Sequence, residues 1–419
     1  MTFETVDFLT DASLVDDPYP YYDFLRECPV RRVPPHEMVA VTGYDEARAI
    51  WQDDDAYSSC NSFGGPFPGL PTAPGDDDIS ELIEECRNAY PISEHMVTFD
   101  PPEHTKHRAL LMRLMTPRRL VENEASMWRL ADRQMDTFVS DGKCDFVQAF
   151  ATPMAWLTIA DLLGVPEADH HLFRAQLEAH VAGALGTHEQ GNPFAFLDDL
   201  FAGYIDDRRR APRGDVLTKL AQATFPDGSQ PDLLDVVRIA VFLFAAGQGT
   251  TAHLLGSLIQ ALAEHSDLQA ALRDDRGRIP AFIEETLRIE SPVKANFRMV
   301  RRSTVLGGVE VPAGTTVMIM PGAANRDGRR FEDGGAFCLD RRNSRDHIAF
   351  GRGTHACPGA ALARAEARIS LERLLDRMRD IKISDAHHGP PGARRYSYDP
   401  SFMLRGIQAL HIDFTPVAG

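Results

Sequence analysis

The stretch of sequence that decides the fold is Phe-Gly-Arg-Gly-Thr-His-Ala-Cys-Pro-Gly, residues 350–359. A strongly helix-forming run, Ala-Ala-Leu-Ala-Arg-Ala-Glu-Ala-Arg-Ile, follows it at once. Because a cysteine just before a helix faces unpaired backbone N–H groups and the positive end of the helix dipole, the thiolate form of Cys357 is favoured. Gly351 and Gly353 let the backbone turn and approach a flat cofactor closely. We therefore predict that Cys357 is a thiolate ligand in a cofactor site.

Two further residues of this stretch suit a flat cofactor, since Gly359 leaves room directly beneath it and Phe350 can shield the sulfur. At every position the stretch resembles the cysteine loop of the cytochrome P450 family, Phe-Gly-x-Gly-x-(His/Arg)-x-Cys-x-Gly. The resemblance implies that Cys357 is the axial ligand of a haem b iron and that His355 bonds a haem propionate. Such a thiolate pushes electron density onto the iron and favours O–O cleavage. Taken alone, the stretch also fits a glycine-rich turn with a buried cysteine.

A second motif is Glu285-Thr-Leu-Arg288, which lies on a predicted helix that begins near Pro280. Side chains three residues apart share a helix face and can pair, although such pairs are usually solvated surface bridges. Placed before the cysteine loop, the motif resembles the Glu-x-x-Arg motif of the same family. The resemblance implies a structural triad completed by Arg341, which holds the fold around the cysteine loop.

A third group of residues suits the anionic edge of a haem. His104 and Arg108 are one helical turn apart, so both can donate to a propionate in the charge-assisted mode that arginine favours. Their segment is similar to the helix that crosses one haem edge in the family, and Arg298 resembles a propionate-binding arginine. Singly, each of them is equally an ordinary exposed cation.

The apolar stretch 233–263 predicts a helix buried in the middle of the protein. This stretch contains Ala-Gly-Gln-Gly-Thr-Thr, residues 246–251. Each of its two glycines lowers helix stability by about 1 kcal/mol relative to alanine. A threonine there can bond a backbone carbonyl, and together these residues would open a groove for O₂. The segment resembles the family motif Ala-Gly-x-(Asp/Glu)-Thr, in which the threonine steadies the reactive oxygen and the acid relays protons. By this resemblance Ala246 contacts the haem, and Thr250 is the catalytic threonine.

The acid of this motif is missing, because Gly249 stands in its place. Monooxygenation needs two protons, and a glycine cannot relay them. Three explanations stay open at this point. Water held by Thr250, Thr251 and Gln248 can serve as the relay, a polar group of the substrate can take part, or the enzyme can use hydrogen peroxide, which brings its own protons and electrons.

The resemblance covers residues 15–415 and implies a mainly α fold with a minor β lobe (α+β), a single triangular helical domain around a buried haem that takes in residues 1–419. The β-rich parts are expected near 30–60, 293–320 and 385–415, and the helical parts over 100–290 and 357–380.

The composition excludes several other classes of protein. A net charge of −17 over 419 residues disfavours binding to nucleic acid or to an anionic membrane. Six scattered cysteines without a CxxC pair argue against a disulfide framework or a structural zinc site. The acidic N-terminus lacks the regions of a signal peptide, and no uninterrupted apolar run approaches a membrane span. We expect a cytoplasmic monomer.

Electrons for O₂ must come from outside, since the sequence carries no flavin or nicotinamide fingerprint. We expect a ferredoxin with its ferredoxin reductase. Residues 340–368 hold six arginines against three carboxylates, a basic patch that suits docking of an acidic partner. The arginines are Arg341, Arg342, Arg345, Arg352, Arg364 and Arg368.

The residues that the resemblance assigns to the substrate pocket are mostly apolar, which fits a hydrophobic organic substrate. The loop 64–75 is expected to be a mobile cover, the region 170–200 is expected to contribute contacts, and Lys294 is expected to point to solvent. The predicted substrate contacts are Phe244, Ala245, Val293, Ala295, Asn296, Phe402 and Met403, with Gln248 and Asn296 able to orient one polar group.

These motifs together predict a haem-thiolate monooxygenase that hydroxylates or O-dealkylates a small hydrophobic molecule. The alternatives are a peroxide-driven peroxygenase of the same fold and a non-enzymatic haem sensor. A sensor would account for the cysteine loop, but it would not account for the threonine and glycine groove in a buried helix.

Overall fold

The computed structural model describes residues 3–33, 36–63, 70, 76–170 and 194–417. Helices dominate this part of the chain. The α-helices are α1 (Ser13–Asp16), α2 (Tyr19–Arg26), α3 (Tyr44–Gln52), α4 (Ser80–Glu85), α5 (Glu103–Met112), α6 (Pro117–Met135), α7 (Thr152–Leu163), α8 (Ala195–Arg210), α9 (Val216–Ala221), α10 (Leu233–Glu264), α11 (Ser266–Asp274), α12 (Ile279–Ile289), α13 (Pro321–Ala324), α14 (Ala360–Arg377) and α15 (Asp385–His388).

The long apolar helix that the sequence predicts is α10, and it runs without interruption for 32 residues. A capping box starts it, in which the Asp232 side chain accepts from the backbone of Asp235 and the Asp235 side chain accepts from the backbone of Asp232. Among the described residues it is the one helix long and apolar enough to cross a membrane. It contacts α7, α8, α12 and α14, so its apolar surface is met by protein from several directions.

In the part of the chain that the structure describes, ten strands form three small sheets. The largest sheet has the order β1-β2-β8-β5-β3, in which only the β2–β8 pairing is parallel. A second sheet has the order β4-β10-β9, and β6 pairs with β7. The strands are β1 (Val30–Val33), β2 (Met38–Val41), β3 (Tyr57–Ser58), β4 (Lys143–Asp145), β5 (Asn296–Val300), β6 (Thr304–Leu306), β7 (Val309–Val311), β8 (Thr316–Ile319), β9 (Met378–Ile383) and β10 (His411–Pro416).

The strands near 30–60 and 293–320 lie where the sequence predicts them, but two regions differ. The stretch 385–415 contains a helix, turns and isolated bridges before β10. Prolines and positive-φ glycines at 389–392 break any longer strand there. The second difference is β4, which falls within the stretch predicted to be helical, because Cys144 pairs with Ile412 of β10.

A fully buried carboxylate ties α12 to the chain that leads into the cysteine loop. Glu285 accepts two hydrogen bonds from Arg288, at 2.7 and 2.8 Å, and one from Arg341 at 3.0 Å. Arg288 also donates to the carbonyls of Asn325 and Gly334. The structure thus brings together the three residues of the predicted triad, and Arg288 satisfies backbone carbonyls that would otherwise be buried without donors.

Because the triad is buried, removing one member leaves an uncompensated charge. We expect Arg288→Met to lower the free energy of unfolding by about 3–5 kcal/mol, measured by urea denaturation. As the matched control, Arg302→Met removes an exposed pair with Asp78 and is expected to cost less than about 1 kcal/mol. Equal losses in the two variants would contradict a structural role for the triad.

Candidate functional site

An interior cavity lies between α10 and the cysteine loop, residues 350–359. Segments that are far apart in the sequence meet around it. From the loop and α14 the lining includes Phe350, Gly351, Arg352, His355, Cys357, Pro358, Gly359, Leu362, Ala363 and Glu366; from α10 it includes Phe242, Leu243, Ala246, Gly247, Thr250, Thr251 and Leu254; and from the segment after α12 it includes Pro292, Val293, Asn296 and Arg298.

The cysteine loop closes on itself before α14 begins. The backbone N–H of Cys357 donates to the carbonyl of Phe350 at 2.8 Å. Gly351 and Gly353 have φ of +65° and +69°, a region that L side chains rarely adopt. A Cβ on Gly353 would lie 1.9 Å from the carbonyl oxygen of Trp51. The glycine is therefore required both by the turn and by the close approach of α3.

The Cys357 thiol faces the cavity and is enclosed by protein elsewhere. Burial raises the pKa of the Cys357 thiol, while backbone N–H groups of Gly359 and Ala360 and the charge of Arg108 lower it. The helix end thus acts in the direction that the sequence predicts, but burial outweighs it. A metal ion bound in the cavity would lower the pKa of this thiol further.

Behind the cysteine loop lies a network that the sequence analysis missed. Glu284 accepts two hydrogen bonds from Arg364, at 2.6 and 2.9 Å, and lies 3.0 Å from the ring nitrogen of His347. The Arg364 guanidinium lies 4.6 Å from the centre of the Phe350 ring. Glu284 therefore fixes the cation that holds Phe350 over the sulfur side of the cavity. A glutamate adjacent to Glu285 carries no sequence signal of this role.

Arg298 and His355 line one edge of the cavity, and His104 and Arg108 lie beside them. The rings of His104 and His355 lie 3.9 Å apart, and both nitrogens of His104 are buried without a hydrogen-bond partner. Burial, and then the charges of Arg108 and Arg298, lower the pKa of His104 to about 4. Burial lowers the pKa of Arg298 to about 10. The carboxylates of a ligand would pair with the two arginines and accept hydrogen bonds from the histidines.

Of the four predicted catalytic residues on α10, Thr250 and Thr251 line the cavity, whereas Gln248 and Gly249 do not. Thr250 and Thr251 line it, and the Thr250 hydroxyl donates to the carbonyl of Ala246 at 2.8 Å. Gln248 lies outside the lining, and its side-chain nitrogen is buried without a partner. No described atom outside the backbone of α10 would lie within 4 Å of a Cβ on Gly249, so no described side chain fills the position of the missing acid.

Of the seven predicted substrate contacts, Val293 and Asn296 line the cavity. The other five predicted contacts lie outside the cavity lining. Phe244 points away from the cavity into a contact with Trp156 and Phe201, so Phe242 and Leu243 line it instead. Ala245 lies on the same averted side of α10, while Ala295, Phe402 and Met403 belong to a core cluster with the N-terminal segment.

The expectation that Lys294 points to solvent is wrong. Its backbone N–H donates to the carbonyl of Met403 at 2.7 Å, and Val293 pairs with Leu404. Because alternate residues of an extended segment face opposite sides, Val293 faces the cavity and Lys294 turns into the protein. Its side chain lies 5.9 Å from the ring of Phe8, and burial lowers its pKa to about 7.

The predicted basic patch is smaller in the structure than in the sequence. Arg341 and Arg364 are bonded to Glu285 and Glu284, Arg368 pairs with Glu124, and Arg352 donates to backbone carbonyls. Arg342 and Arg345 are exposed and make no ion pair with any residue the structure describes. The predicted cover loop 64–75 lies outside the described residues except for Leu70, and most of the region 170–200 lies outside them too.

Comparisons with known proteins fit this geometry. The sequence model of the cytochrome P450 family matches residues 192–382. Cytochrome P450 144 of Mycobacterium tuberculosis (strain ATCC 25618 / H37Rv) is 34% identical over 418 residues, with 96% of this chain and 90% of that protein covered. Cytochrome P450 monooxygenase PikC of Streptomyces venezuelae is 33% identical over 403 residues, covering 94% and 91%. The substrate-free structure of Mycobacterium marinum cytochrome P450 CYP150A6 is 54% identical with a TM-score of 0.92 and covers 100% of both chains.

A helical fold with a cysteine before a helix N-terminus, facing a long central helix across a cavity, defines a class of haem-thiolate oxidoreductases. The chain belongs to the cytochrome P450 family. It is a cytochrome P450 monooxygenase whose cofactor is haem b with a cysteine-ligated iron. The residues present fit that group, because the cavity offers the Cys357 thiol on one side and Arg298 and His355 at its edge, next to the buried nitrogens of His104.

The close packing around Gly353 can be tested by substitution. We expect Gly353→Ala to lower the free energy of unfolding by about 2 kcal/mol or more, because the added methyl group meets the Trp51 carbonyl and the turn has positive φ. The control is Gly392→Ala, where φ is +83° but no atom lies within 4 Å of the added Cβ, so only the conformational cost is expected. If the two variants unfold at the same urea concentration, α3 does not constrain the loop.

Proposed function

We propose that Cys357 is the axial thiolate ligand of the haem iron, and that the protein inserts one atom of O₂ into a hydrophobic organic substrate by hydroxylation or O-dealkylation. The observation that carries the proposal is that, among the described residues, Cys357 is the one cysteine lining the cavity, where it precedes α14 and shares the lining with Thr250 of α10. The reaction consumes O₂, two protons and two electrons, and it leaves the oxidised substrate and water. When bound, the haem supplies the iron at which O₂ is activated, and a thiolate ligand favours O–O cleavage.

The chain's own residues divide the work of holding the cofactor. Arg108 and Arg298 would neutralise the propionates, and His104 and His355 would donate hydrogen bonds to them. Gly351, Gly359 and Ala246 let the backbone approach the faces of the ring, and Phe350 excludes water from the sulfur. Thr250 holds a hydroxyl at the cavity, fixed by its hydrogen bond to Ala246.

The cavity supports a mainly apolar substrate with one polar group. Phe242, Leu243 and Val293 form apolar lining, and the Asn296 amide is the polar side chain on the same segment as Val293. Asn296 accepts from Arg298 at 2.8 Å, which fixes its orientation. A ligand screen that follows the conversion of low-spin to high-spin iron tests this class. Tight binding confined to highly charged ligands would contradict it.

The ligand assignment predicts a spectroscopic result. Reduced protein under carbon monoxide is expected to show the red-shifted Soret band of thiolate ligation, and Cys357→Ser is expected to abolish it. Cys338→Ser is the matched control, since Cys338 is also solvent-accessible but lies outside the cavity lining. Retention of the band in the Cys357 variant would refute the assignment.

For electrons we propose an acidic ferredoxin with its reductase, working with this protein in the cytoplasm. The support is the exposed pair Arg342 and Arg345, which precedes the cysteine loop and whose charges are not neutralised by described neighbours. Electrostatic complementarity of this kind mainly raises the rate of encounter.

This docking surface predicts an effect of charge reversal. Arg342→Glu with Arg345→Glu is expected to slow reduction by ferredoxin about tenfold at low ionic strength, and the difference is expected to shrink at high salt. Arg210→Glu on α8, which alters an exposed arginine elsewhere, is expected to leave the rate within about twofold, as rim charges outside an interface do. A double variant reduced at the wild-type rate would refute this surface.

A peroxide-driven reaction is the second candidate, and the glycine at position 249 favours it because peroxide brings its own protons and electrons. The initial rate with peroxide alone, compared with the rate with reduced ferredoxin and O₂, separates the two. A protein that turns over only with peroxide would replace the monooxygenase proposal.

A further inference from the structure

A histidine and an aspartate form a hydrogen-bonded pair beside the catalytic turn of α10. The Nε2 of His253 lies 2.8 Å from Oδ2 of Asp399, and their side chains are 11% and 24% exposed. Because a carboxylate accepts the Nε2 proton, the lone pair of a neutral His253 ring lies on Nδ1. This Nδ1 is buried and has no hydrogen-bond partner in the described part of the chain. The pair is therefore a base oriented by an acid, with its free nitrogen inside the protein.

The position of His253 on α10 places it next to the missing acid. It follows Thr250 by three residues and Gly249 by four, and side chains at these spacings are neighbours on a helix, with Cβ atoms about 5–6 Å apart. Helical side chains also lean toward the N-terminus, so the ring leans over the turn that holds both residues. The space at Gly249 is open, since a Cβ there would meet no atom within 4 Å.

Asp399 reaches this helix because a glycine allows its hairpin to close. Tyr398 pairs with Ile407, and the backbone N–H of Asp399 donates to the carbonyl of Gly406 at 2.9 Å. A Cβ on Gly406 would lie 1.9–2.3 Å from three atoms of the His253 ring. The hairpin backbone therefore lies directly against the ring, an arrangement that any side chain at this position would prevent.

We propose that His253 and Asp399 relay protons to Thr250 in place of the acid absent from position 249, a role that rests on the proposed function. A solvent proton reaches Nδ1 through water, and Asp399 stabilises the resulting imidazolium. Nδ1 then releases the proton toward the Thr250 hydroxyl, whose oxygen keeps lone pairs free beside its bond to Ala246. Each turnover uses two such protons, and the two electrons come from the reduced iron–sulfur partner.

A competing proton source is Glu366, which lines the cavity and is 2% exposed. One of its carboxylate oxygens has no hydrogen-bond partner in the described part of the chain. Glu366 is more deeply buried than His253 and Asp399, whose side chains are 11% and 24% exposed. Glu366→Gln therefore serves as the comparison in the test.

The test uses the haem-loaded protein with a plant-type ferredoxin, its reductase and NADPH, and it follows O₂ consumption without added substrate in H₂O and in D₂O. Reduction of O₂ to hydrogen peroxide takes two protons and two electrons, so it depends on the relay. Peroxide-driven oxidation of guaiacol serves as the bypass, because peroxide supplies its own protons.

We expect His253→Gln, which keeps a donor to Asp399 but cannot carry a proton, to slow O₂ consumption about tenfold or more and to raise its solvent isotope effect. Asp399→Asn is expected to act in the same direction. The peroxide-driven rate is expected to stay within about twofold, and adding Gly249→Asp to His253→Gln is expected to restore O₂ consumption. His36→Gln, which alters a His–Asp pair with Asp7 near the N-terminus, is the matched control.

Four results would overturn the relay. O₂ consumption at the wild-type rate in His253→Gln would refute it and leave the proposed function standing, and loss confined to Glu366→Gln would move the role to that residue. Equal loss of the O₂-driven and peroxide-driven reactions would show a structural role only. A wild-type protein that reduces no O₂ with reduced ferredoxin would refute the proposed function together with the relay.

Discussion

The buried carboxylate of Glu285, held by Arg288 and Arg341, is the interaction on which the geometry of the site depends. The adjacent residue Glu284 has different partners. It accepts a hydrogen bond from Arg364, whose guanidinium lies over the Phe350 ring. Two adjacent glutamates on α12 therefore fix both the chain that leads into the cysteine loop and the cation behind it. Since neither carboxylate is solvated, each must keep its arginine, and the loop cannot drift without breaking one of these buried pairs.

The electrostatics of the cavity make sense only together with its cofactor. Burial raises the pKa of the Cys357 thiol although the backbone N–H groups of Gly359 and Ala360 lower it, and Arg108 and Arg298 lie near His104 at one edge of the cavity. A bound metal ion would lower the pKa of the Cys357 thiol, and carboxylates at the rim would pair with the arginines at the edge. The cavity is thus complementary to a flat molecule that is cationic at its centre and anionic at one edge, as a haem is.

The sequence predicts the parts of this site that local chemistry determines. The turn at Gly351 and Gly353, the start of α14 and the i, i+3 pair on α12 follow from short-range rules, and the structure has them where they are expected. The failures share another cause, because they depend on which way a side chain turns in the folded protein. Lys294 is buried because its segment pairs with residues 403–404. The Phe244 side chain points away from the cavity and packs against Phe201.

Contacts between distant segments account for the remaining gaps. The six arginines near the cysteine loop form a basic patch in the sequence, yet three of them are bonded to carboxylates that lie far away in the sequence. The pair formed by His253 and Asp399 spans 146 residues and gives no local signal. Such constellations become visible only when the fold brings their members together, and they include the proton source that we propose for position 249.

The central claim is that the sulfur of Cys357 ligates the haem iron. X-ray absorption at the iron edge of the purified resting protein tests this directly, because a sulfur neighbour scatters differently from nitrogen or oxygen. We predict one sulfur in the first coordination sphere of the iron in the wild type and its loss in Cys357→Ser. A coordination sphere of nitrogen and oxygen alone in the wild type, or a sulfur that persists in the variant, would contradict it.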